Sequence, residues 1–89
     1  MSPTIHRESG FRFSFYSREG QEPPHVHVEK GGGYGKLWLT SEKGIAWAYA
    51  HGFTGKQMRR IEEIVARQRD GFLKAWHDHF HVPPPGAEG

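Results

Sequence analysis

Two histidines separated by one residue, His25 and His27, are the side chains of this sequence best placed to do chemistry. They lie in a run that alternates apolar and polar residues, which is typical of a β-strand. Alternate residues of a strand project from the same face, about 6.5–7 Å apart. Two imidazoles at that spacing can bind one metal ion or one phosphate group. They can also act as general base and general acid in the cleavage of RNA through its 2′-hydroxyl.

Several side chains near this pair in the sequence extend the hypothesis. Tyr16 can orient a substrate or stack on a base, and Arg12 or Lys30 can offset the charge of a phosphate. Glu29 shares the predicted face, although it lies about 13 Å from His25 along the strand. The predicted catalytic residues are His25, His27 and Tyr16. The predicted binding residues in this region are Arg12, Glu29 and Lys30.

The identity of any metal at the pair stays undetermined, and no cofactor is predicted. Because Glu29 is too distant from His25 to complete a three-ligand site on a straight strand, a further ligand must come from elsewhere. Zinc accepts histidine and carboxylate ligands in catalytic sites, and the candidates here are His51, Glu19 and Glu22. A purely structural interpretation is also open, in which the imidazoles hydrogen-bond carbonyl groups and hold the loop of residues 18–22.

Length, charge and the lack of cysteine exclude several classes of protein. The 89 residues suffice for one domain. Without cysteine there is no disulfide framework and no cysteine-based zinc finger. No apolar stretch approaches the roughly 20 residues of a membrane span, and no signal peptide is recognisable, so we expect a soluble cytoplasmic protein that does not bind membranes. The net charge of +2 permits contact with nucleic acid without establishing it.

The first half of the chain has the alternating pattern of a sheet. The predicted strands are residues 4–7, 11–15, 25–30, 34–39 and 45–49. Three consecutive glycines, residues 31–33, predict a tight turn between the third and fourth strands. The type of the last strand is ambiguous, because the alanines at 46, 48 and 50 weaken its strand preference.

The second half predicts one amphipathic helix of about 25 residues. Thr54 and Gln57 fit a capping box at its start, and Pro83 ends it. Gly71, inside this helix, predicts a bend or a close packing contact. The apolar residues at helical spacing are Met58, Ile61, Ile64, Val65, Phe72, Leu73, Trp76 and Phe80. The predicted ion pairs at i,i+4 are Glu63 with Arg67 and Asp70 with Lys74.

These elements predict an α+β fold. A small antiparallel sheet of four to five strands packs against one long C-terminal helix, because both elements have one apolar face to bury. We expect a single domain over residues 1–82 and a flexible tail over residues 83–89.

The helix carries two further groups of candidate residues. Arg59 and Arg60 are predicted binding residues for nucleic acid or an acidic protein, although a solvated helix face is the favoured explanation for the arginines of the helix. His77 and His81 are i,i+4 neighbours that can share a divalent ion. The alternative is a solvated helix end, where cationic side chains suit the helix dipole.

Residues 3–80 resemble a family of small bacterial proteins of unknown function. The resemblance rests on an aromatic strand, Phe11-Arg12-Phe13, and on the segment Glu22-Pro23-Pro24-His25-Val26-His27-Val28. Lys36-Leu37-Trp38-Leu39 and the helix residues Phe72-Leu73 and Ala75-Trp76 also fit. Members of that family are often encoded beside a second small gene, in pairs that look like toxin–antitoxin modules.

The resemblance implies a component of such a pair that binds a small partner protein, nucleic acid or both. A homo-oligomer is also compatible with the sequence. The alternative hypothesis is a small ribonuclease or a metal-dependent phosphodiesterase that uses His25 and His27. Whether the protein is an enzyme stays open at this point.

Overall fold

The computed structural model of the protein describes residues 4–16, 21–41 and 44–80. The elements, in chain order, are β1 (Thr4–Glu8), β2 (Phe11–Ser14), β3 (His25–Lys30), β4 (Gly33–Ser41), β5 (Gly44–His51) and α1 (Gly55–Phe80). The five strands form one antiparallel sheet in the order β1-β2-β3-β4-β5, and the predicted α+β fold is confirmed. The predicted tail, His81, Glu19 and residues 18–20 of the predicted loop lie outside the described residues.

Short turns keep consecutive strands adjacent. Ser9 and Gly10 join β1 to β2, and both have positive φ angles, 54° and 82°. Positive φ at both central residues matches the right-handed twist of the flanking strands, as in a type I′ turn. At the β3–β4 turn, Lys30 pairs with Gly33, and Gly31 has a φ of 57°. The predicted glycine turn is therefore confirmed.

The last strand resolves the ambiguity in the sequence. β5 extends from Gly44 to His51 and pairs with β4, so tertiary pairing overrides the weak strand preference of its alanines. Lys36 pairs with Tyr49 and Leu37 with Trp47, which leaves Ala48 as an extra residue, a β-bulge. The sequence analysis did not predict this bulge.

Helix α1 covers one face of the sheet. Alternate residues of the strands meet the predicted stripe of the helix, and each fully buried apolar side chain contributes about 1.5–3 kcal/mol. The buried core consists of Phe11, Phe13, Phe15, Val26, Val28, Leu37, Leu39, Ile61, Ile64, Val65, Phe72 and Trp76. Leu73 and Phe80 pack against this core as partly buried residues, so the predicted helical stripe, except Met58, lies in or against the core.

The predicted capping box is confirmed at the start of α1. The Thr54 amide donates to Oε1 of Gln57 at 2.8 Å, and the Gln57 amide donates to Oγ1 of Thr54 at 3.1 Å. The predicted close contact at Gly71 is wrong. A Cβ there would meet only Oε1 of Gln68 at 3.8 Å, which is an ordinary van der Waals distance.

The ion pairs on the helix differ from the predicted ones. Arg67 binds Glu8 of β1 rather than Glu63, and Glu63 pairs with Arg60 at 3.2 Å. Lys74 binds Asp78 at 2.8 Å rather than Asp70, which raises the pKa of Lys74. The local i,i+4 rule missed the Arg67 contact because β1 brings a carboxylate to the helix from 59 residues away.

Candidate functional site

The sheet face opposite α1, here called the outer face, carries two rows of polar and aromatic side chains. Strand alternation places them opposite core residues such as Phe13, Val26 and Leu37. Cross-strand pairing aligns each row across β2, β3, β4 and β5. The first row is Ser14, His27, Lys36 and Tyr49. The second row is Arg12, Glu29, Tyr34 and His51.

The two predicted catalytic histidines lie side by side, but they are not accessible. The ring centroids of His25 and His27 are 5.1 Å apart, with the ring planes nearly perpendicular. His25 has no exposed surface, and His27 is 3 % exposed. The space around the pair is therefore filled.

Aromatic rings from three other parts of the chain fill it, one from the segment after β2, one from β4 and one from α1. Tyr16 stacks on His27 with the rings 3.7 Å apart and nearly parallel. Trp38 of β4 and Trp76 of α1 contact the His25 ring at centroid distances of 5.5 and 4.8 Å. Sequence alternation put His25 on a half-exposed strand face, and it could not reveal that a helix residue 51 positions later covers this end of the sheet.

His25 also makes the backbone hydrogen bond that the structural interpretation expected. Its Nδ1 lies 2.9 Å from the carbonyl oxygen of Pro23, and because a carbonyl only accepts, Nδ1 donates. The backbone amide of Leu39 donates to the carbonyl of Pro24 at 2.9 Å. These two bonds fix the Pro-Pro segment against the sheet.

Lys36 is a site residue that the sequence analysis missed. Its side chain is largely buried, and its Nζ donates to Oε1 of Glu22 at 2.6 Å. The same ammonium lies over the ring of Trp38, 4.4 Å from the centroid. Ser14, beside His27, is fully buried, and its Oγ has no hydrogen-bond partner among the described residues. The alternation of Lys36 between Gly35 and Leu37 was the signal that placed it on this face.

The predicted supporting residues divide between the two faces. Arg12 and Glu29 bind each other in the second row, and Arg12 also donates to Oγ1 of Thr4 at 3.3 Å. Lys30 instead reaches the carbonyl of Ser9 at 3.1 Å and the ring of Phe11, a core residue. The structure therefore brings Arg12 and Glu29 beside the row of His27 and does not bring Lys30 there.

A separate aromatic group lies at the β4–β5 side of the outer face. The ring of His51 is 5.0 Å from that of Tyr34 and 5.8 Å from that of Tyr49. The two tyrosines are 52 % and 39 % exposed. Since His51 is two strands away from His25, it does not join the histidine pair as a metal ligand. Within the described part of the chain, no three histidine or carboxylate side chains cluster closely enough to hold a metal ion.

The candidate arginines of the helix lie on the opposite side of the sheet. Arg60 donates to Oγ of Ser9 at 3.0 Å and to Oε2 of Glu8 at 3.4 Å, whereas Arg59 is exposed. The hydrogen bond from Arg67, together with that of His6, lowers the pKa of Glu8 from 4.5 to about 2. This group ties β1 to the helix.

The expectation of a solvated helix end is wrong for His77. This residue is buried, and neither ring nitrogen has a hydrogen-bond partner among the described residues. Its i,i+4 neighbour, His81, lies outside the described residues.

Within the described residues, α1 lacks the apolar run that crossing a bilayer requires.

The fold and site define a small α+β protein, a five-stranded antiparallel meander with a helix on one face and an aromatic, imidazole-bearing face on the other. The family model described as "Domain of unknown function (DUF4160)" matches residues 10–77, and the chain belongs to that family. No curated protein and no solved structure matches the sequence.

Proposed function

We propose that this protein is one member of a toxin–antitoxin-like pair and that it binds a strand of a small partner protein along β5. The observation that carries this proposal is that β5 is a long edge strand without acidic residues, lysine or arginine. β5 has eight residues, none of them Asp, Glu, Lys or Arg, and it ends the sheet. The backbone groups on the outer side of an edge strand can pair with an incoming strand.

The exposed aromatic rings beside the edge support a strand as the occupant. Tyr49 lies on β5 itself, and Tyr34 lies on the neighbouring strand at a ring-centroid distance of 6.3 Å. Main-chain pairing supplies affinity in such complexes, while alternate side chains of the incoming strand supply specificity. A partner strand with apolar residues at alternate positions packs beside these tyrosines.

The bulge at Ala48 favours a different protein over a second copy of this chain. Ala48 lies at the middle of β5, between Trp47 and Tyr49. A two-fold symmetric pairing of β5 with itself brings the two bulges together at the centre, where each interrupts the ladder. A partner strand of different sequence has no such constraint. The resemblance to proteins encoded in pairs supports the same choice.

The test is co-expression with the small protein encoded beside this one. We expect the two proteins to co-purify, and we expect growth arrest by one of them to be relieved by the other. Ala48→Lys places a charge on the uncharged edge and should weaken the complex about tenfold, since desolvating an ammonium opposes pairing. Ala66→Lys is the matched control, because Ala66 is exposed on the helix.

Three results would overturn the proposal. The first is that Ala48→Lys and Ala66→Lys bind the partner equally well. The second is that the chain alone elutes as a dimer that Ala48→Lys converts to a monomer, which would make a second copy the occupant. The third is that the complex forms only with nucleic acid present and dissociates on nuclease treatment.

A second proposal retains the enzymatic alternative, a small ribonuclease or phosphodiesterase at His25 and His27. The 5.1 Å ring separation and the adjacent Tyr16 favour it. Because both rings are buried, substrate reaches them only if the covering rings move, Tyr16 from His27 and Trp38 or Trp76 from His25. Cleavage of a short single-stranded RNA by the wild type, and its loss in His27→Ala with the circular dichroism spectrum unchanged, would support this function. Equal cleavage by both proteins would rule it out.

A further inference from the structure

We propose that the second row of the outer face, lengthened by Arg7 of β1, binds single-stranded nucleic acid. Bases stack on Tyr34 and His51 at the β5 end of the row, and Arg7 binds a backbone phosphate at the β1 end. This site lies on the face of the sheet, whereas the protein partner proposed above pairs with the β5 edge. Binding of nucleic acid therefore does not require that partner.

Strand register puts the side chains of this row on one face. Arg7 pairs with Arg12 across β1 and β2, and Arg12 pairs with Glu29 across β2 and β3. Glu29 pairs with Tyr34, and Tyr34 pairs with His51 on the last strand. Directly opposed residues of antiparallel strands project from the same face. Because neighbouring strands are about 4.8 Å apart, the row extends about 19 Å from a basic end to an aromatic end.

The aromatic end presents ring surface to solvent. Tyr34 is 52 % exposed, and His51 is exposed as well. Their ring centroids are 5.0 Å apart and their planes differ by 36°, so these rings do not stack on each other. Tyr16 and His27 show the contrast, because their rings lie 3.7 Å apart and nearly parallel. Tyr34 and His51 therefore keep ring surface that a planar ligand can cover, and stacking on an aromatic ring suits every base.

The basic end carries more positive charge than the row itself neutralises. Arg7 and Arg12 are directly opposed, which is unfavourable for two like charges. Glu29 binds Arg12, whereas Arg7 is exposed and makes no ion pair within residues 4–16, 21–41 and 44–80. A backbone phosphate supplies the missing negative charge, and the planar guanidinium matches its oxygens.

The two ends together favour single-stranded nucleic acid as the occupant. Exposed aromatic rings stack on unpaired bases, whereas the bases of a duplex already stack on one another. The net charge of +2 also favours a polyanion. A protein strand paired with β5 supplies no counter-charge to Arg7, because Arg7 lies on the strand at the other edge of the sheet.

The test is fluorescence anisotropy of a labelled deoxythymidine oligomer of about ten nucleotides, titrated with protein freed of nucleic acid. DNA lacks the 2′-hydroxyl, so cleavage through that group cannot affect the measurement. We expect saturable binding that weakens as the salt concentration rises. Tyr34→Ala should weaken binding about tenfold, whereas Tyr34→Phe keeps the ring and should bind about as tightly as the wild type.

Salt dependence separates the roles of the two ends. Arg7→Gln should weaken binding and reduce the slope of log K against log salt by about 0.7, the value for one phosphate contact on a single strand. Tyr34→Ala should leave the slope unchanged, because stacking on a ring releases no counterions. Arg59→Gln is the matched control for charge, since Arg59 is exposed on the helix at the other side of the sheet.

Circular dichroism of each variant checks that the fold is retained, which we expect because Arg7 and Tyr34 are exposed. Failure of the wild type to bind the oligomer saturably would overturn the proposal. So would equal losses in Arg7→Gln and Arg59→Gln, because net charge would then explain the binding. An unchanged oligomer affinity in Tyr34→Ala would also overturn it, and a weaker complex of that variant with the partner protein would assign the ring to the β5 interface.

Discussion

The two edges of the sheet are tied to the helix by different chemistry. At β1, Glu8 receives Arg67 and Arg60 from α1, so that edge is charged and closed by ion pairs. At β5, the indole Nε1 of Trp47 donates to Oε2 of Glu62 at 2.7 Å, and the strand itself contains no Asp, Glu, Lys or Arg. Charged edges resist pairing with other chains, and uncharged ones permit it. The same helix therefore binds the β1 edge through ion pairs that discourage pairing with another chain. It binds β5 through an inward-facing side chain and leaves the backbone of that edge available for pairing.

The largest expected loss of stability comes from replacing Trp47, the side chain that links β5 to the helix. Trp47→Ala removes partly buried ring packing against Phe53 and the hydrogen bond to a carboxylate, and we expect it to lower the free energy of unfolding by about 3 kcal/mol. Urea denaturation measures this. Trp47→Phe keeps most of the packing and should lose about half as much. Equal losses for the two variants would show that the ring contributes nothing beyond its hydrogen bond.

A smaller loss of stability is expected at Gly35 of β4, which lies against the Trp47 side chain. A Cβ at Gly35 would lie 2.8 Å from Cζ3 of Trp47 and 2.9 Å from the carbonyl oxygen of Tyr49. Because backbone cannot yield easily, Gly35→Ala should destabilise the protein by about 2 kcal/mol. Gly32→Ala is the control, since nothing lies within 4 Å of a Cβ there. Thermal melts of both variants test the difference, and indistinguishable melts would contradict it.

On the β1 side, the corresponding glycine should matter less. Gly10 has a φ of 82°, so Gly10→Ala is strained and should cost about 1 kcal/mol. A Cβ there would otherwise meet the flexible end of Lys30, which can move. Gly31→Ala shares the positive φ and has open space around it, so its melting temperature should fall by a similar amount. A much larger fall for Gly10→Ala would mean that Lys30 is held in place.

The smallest effect is expected from removing the β1 charge, and it should depend on pH. The folded pKa of Glu8 is lowered from 4.5 to about 2, so its stabilising contribution is present above pH 4.5 and is lost as the pH falls through about 2. The stability gap between the wild type and Glu8→Gln should therefore close over that range. Since the group is exposed, salt should narrow the gap at neutral pH.

Urea denaturation at a series of pH values measures that gap, with Asp70→Asn, a change at an exposed helix carboxylate, as the control. A gap that stays constant down to pH 2 would show that the ion pairs of Glu8 do not hold the β1 edge.

Local patterns in the sequence were sufficient to predict the strands and the helix. They were not sufficient to predict which side chains are buried when these elements pack together. Thr54 and Gln57 predicted the start of the helix, and the three glycines predicted the β3–β4 hairpin. Both features depend only on residues that are close in the sequence. The burial of His25 depends on Trp38 and Trp76, which reach it only after the sheet and helix pack. No spacing rule within a strand reveals that cover.

The sequence also did not predict ion pairs between residues far apart in the chain, because these too form only when the elements pack together. The i,i+4 rule assigned Arg67 a neighbour on its own helix, whereas the fold supplies Glu8 from β1. Lys36 and Glu22 lie 14 residues apart, and register across the hairpin brings the lysine beside His27. The predicted roles of His25, His27 and Tyr16 in catalysis stay predictions, which the RNA cleavage experiment addresses.

The order of the elements along the chain has a consequence for synthesis. Each strand pairs with the one made just before it, so the meander can assemble as it leaves the ribosome. The helix that covers Phe13, Val26 and Leu37 is translated after all five strands. Until residues 55–80 have emerged, the nascent sheet exposes its apolar core face to solvent, and a chain truncated before Gly55 should aggregate or recruit chaperones.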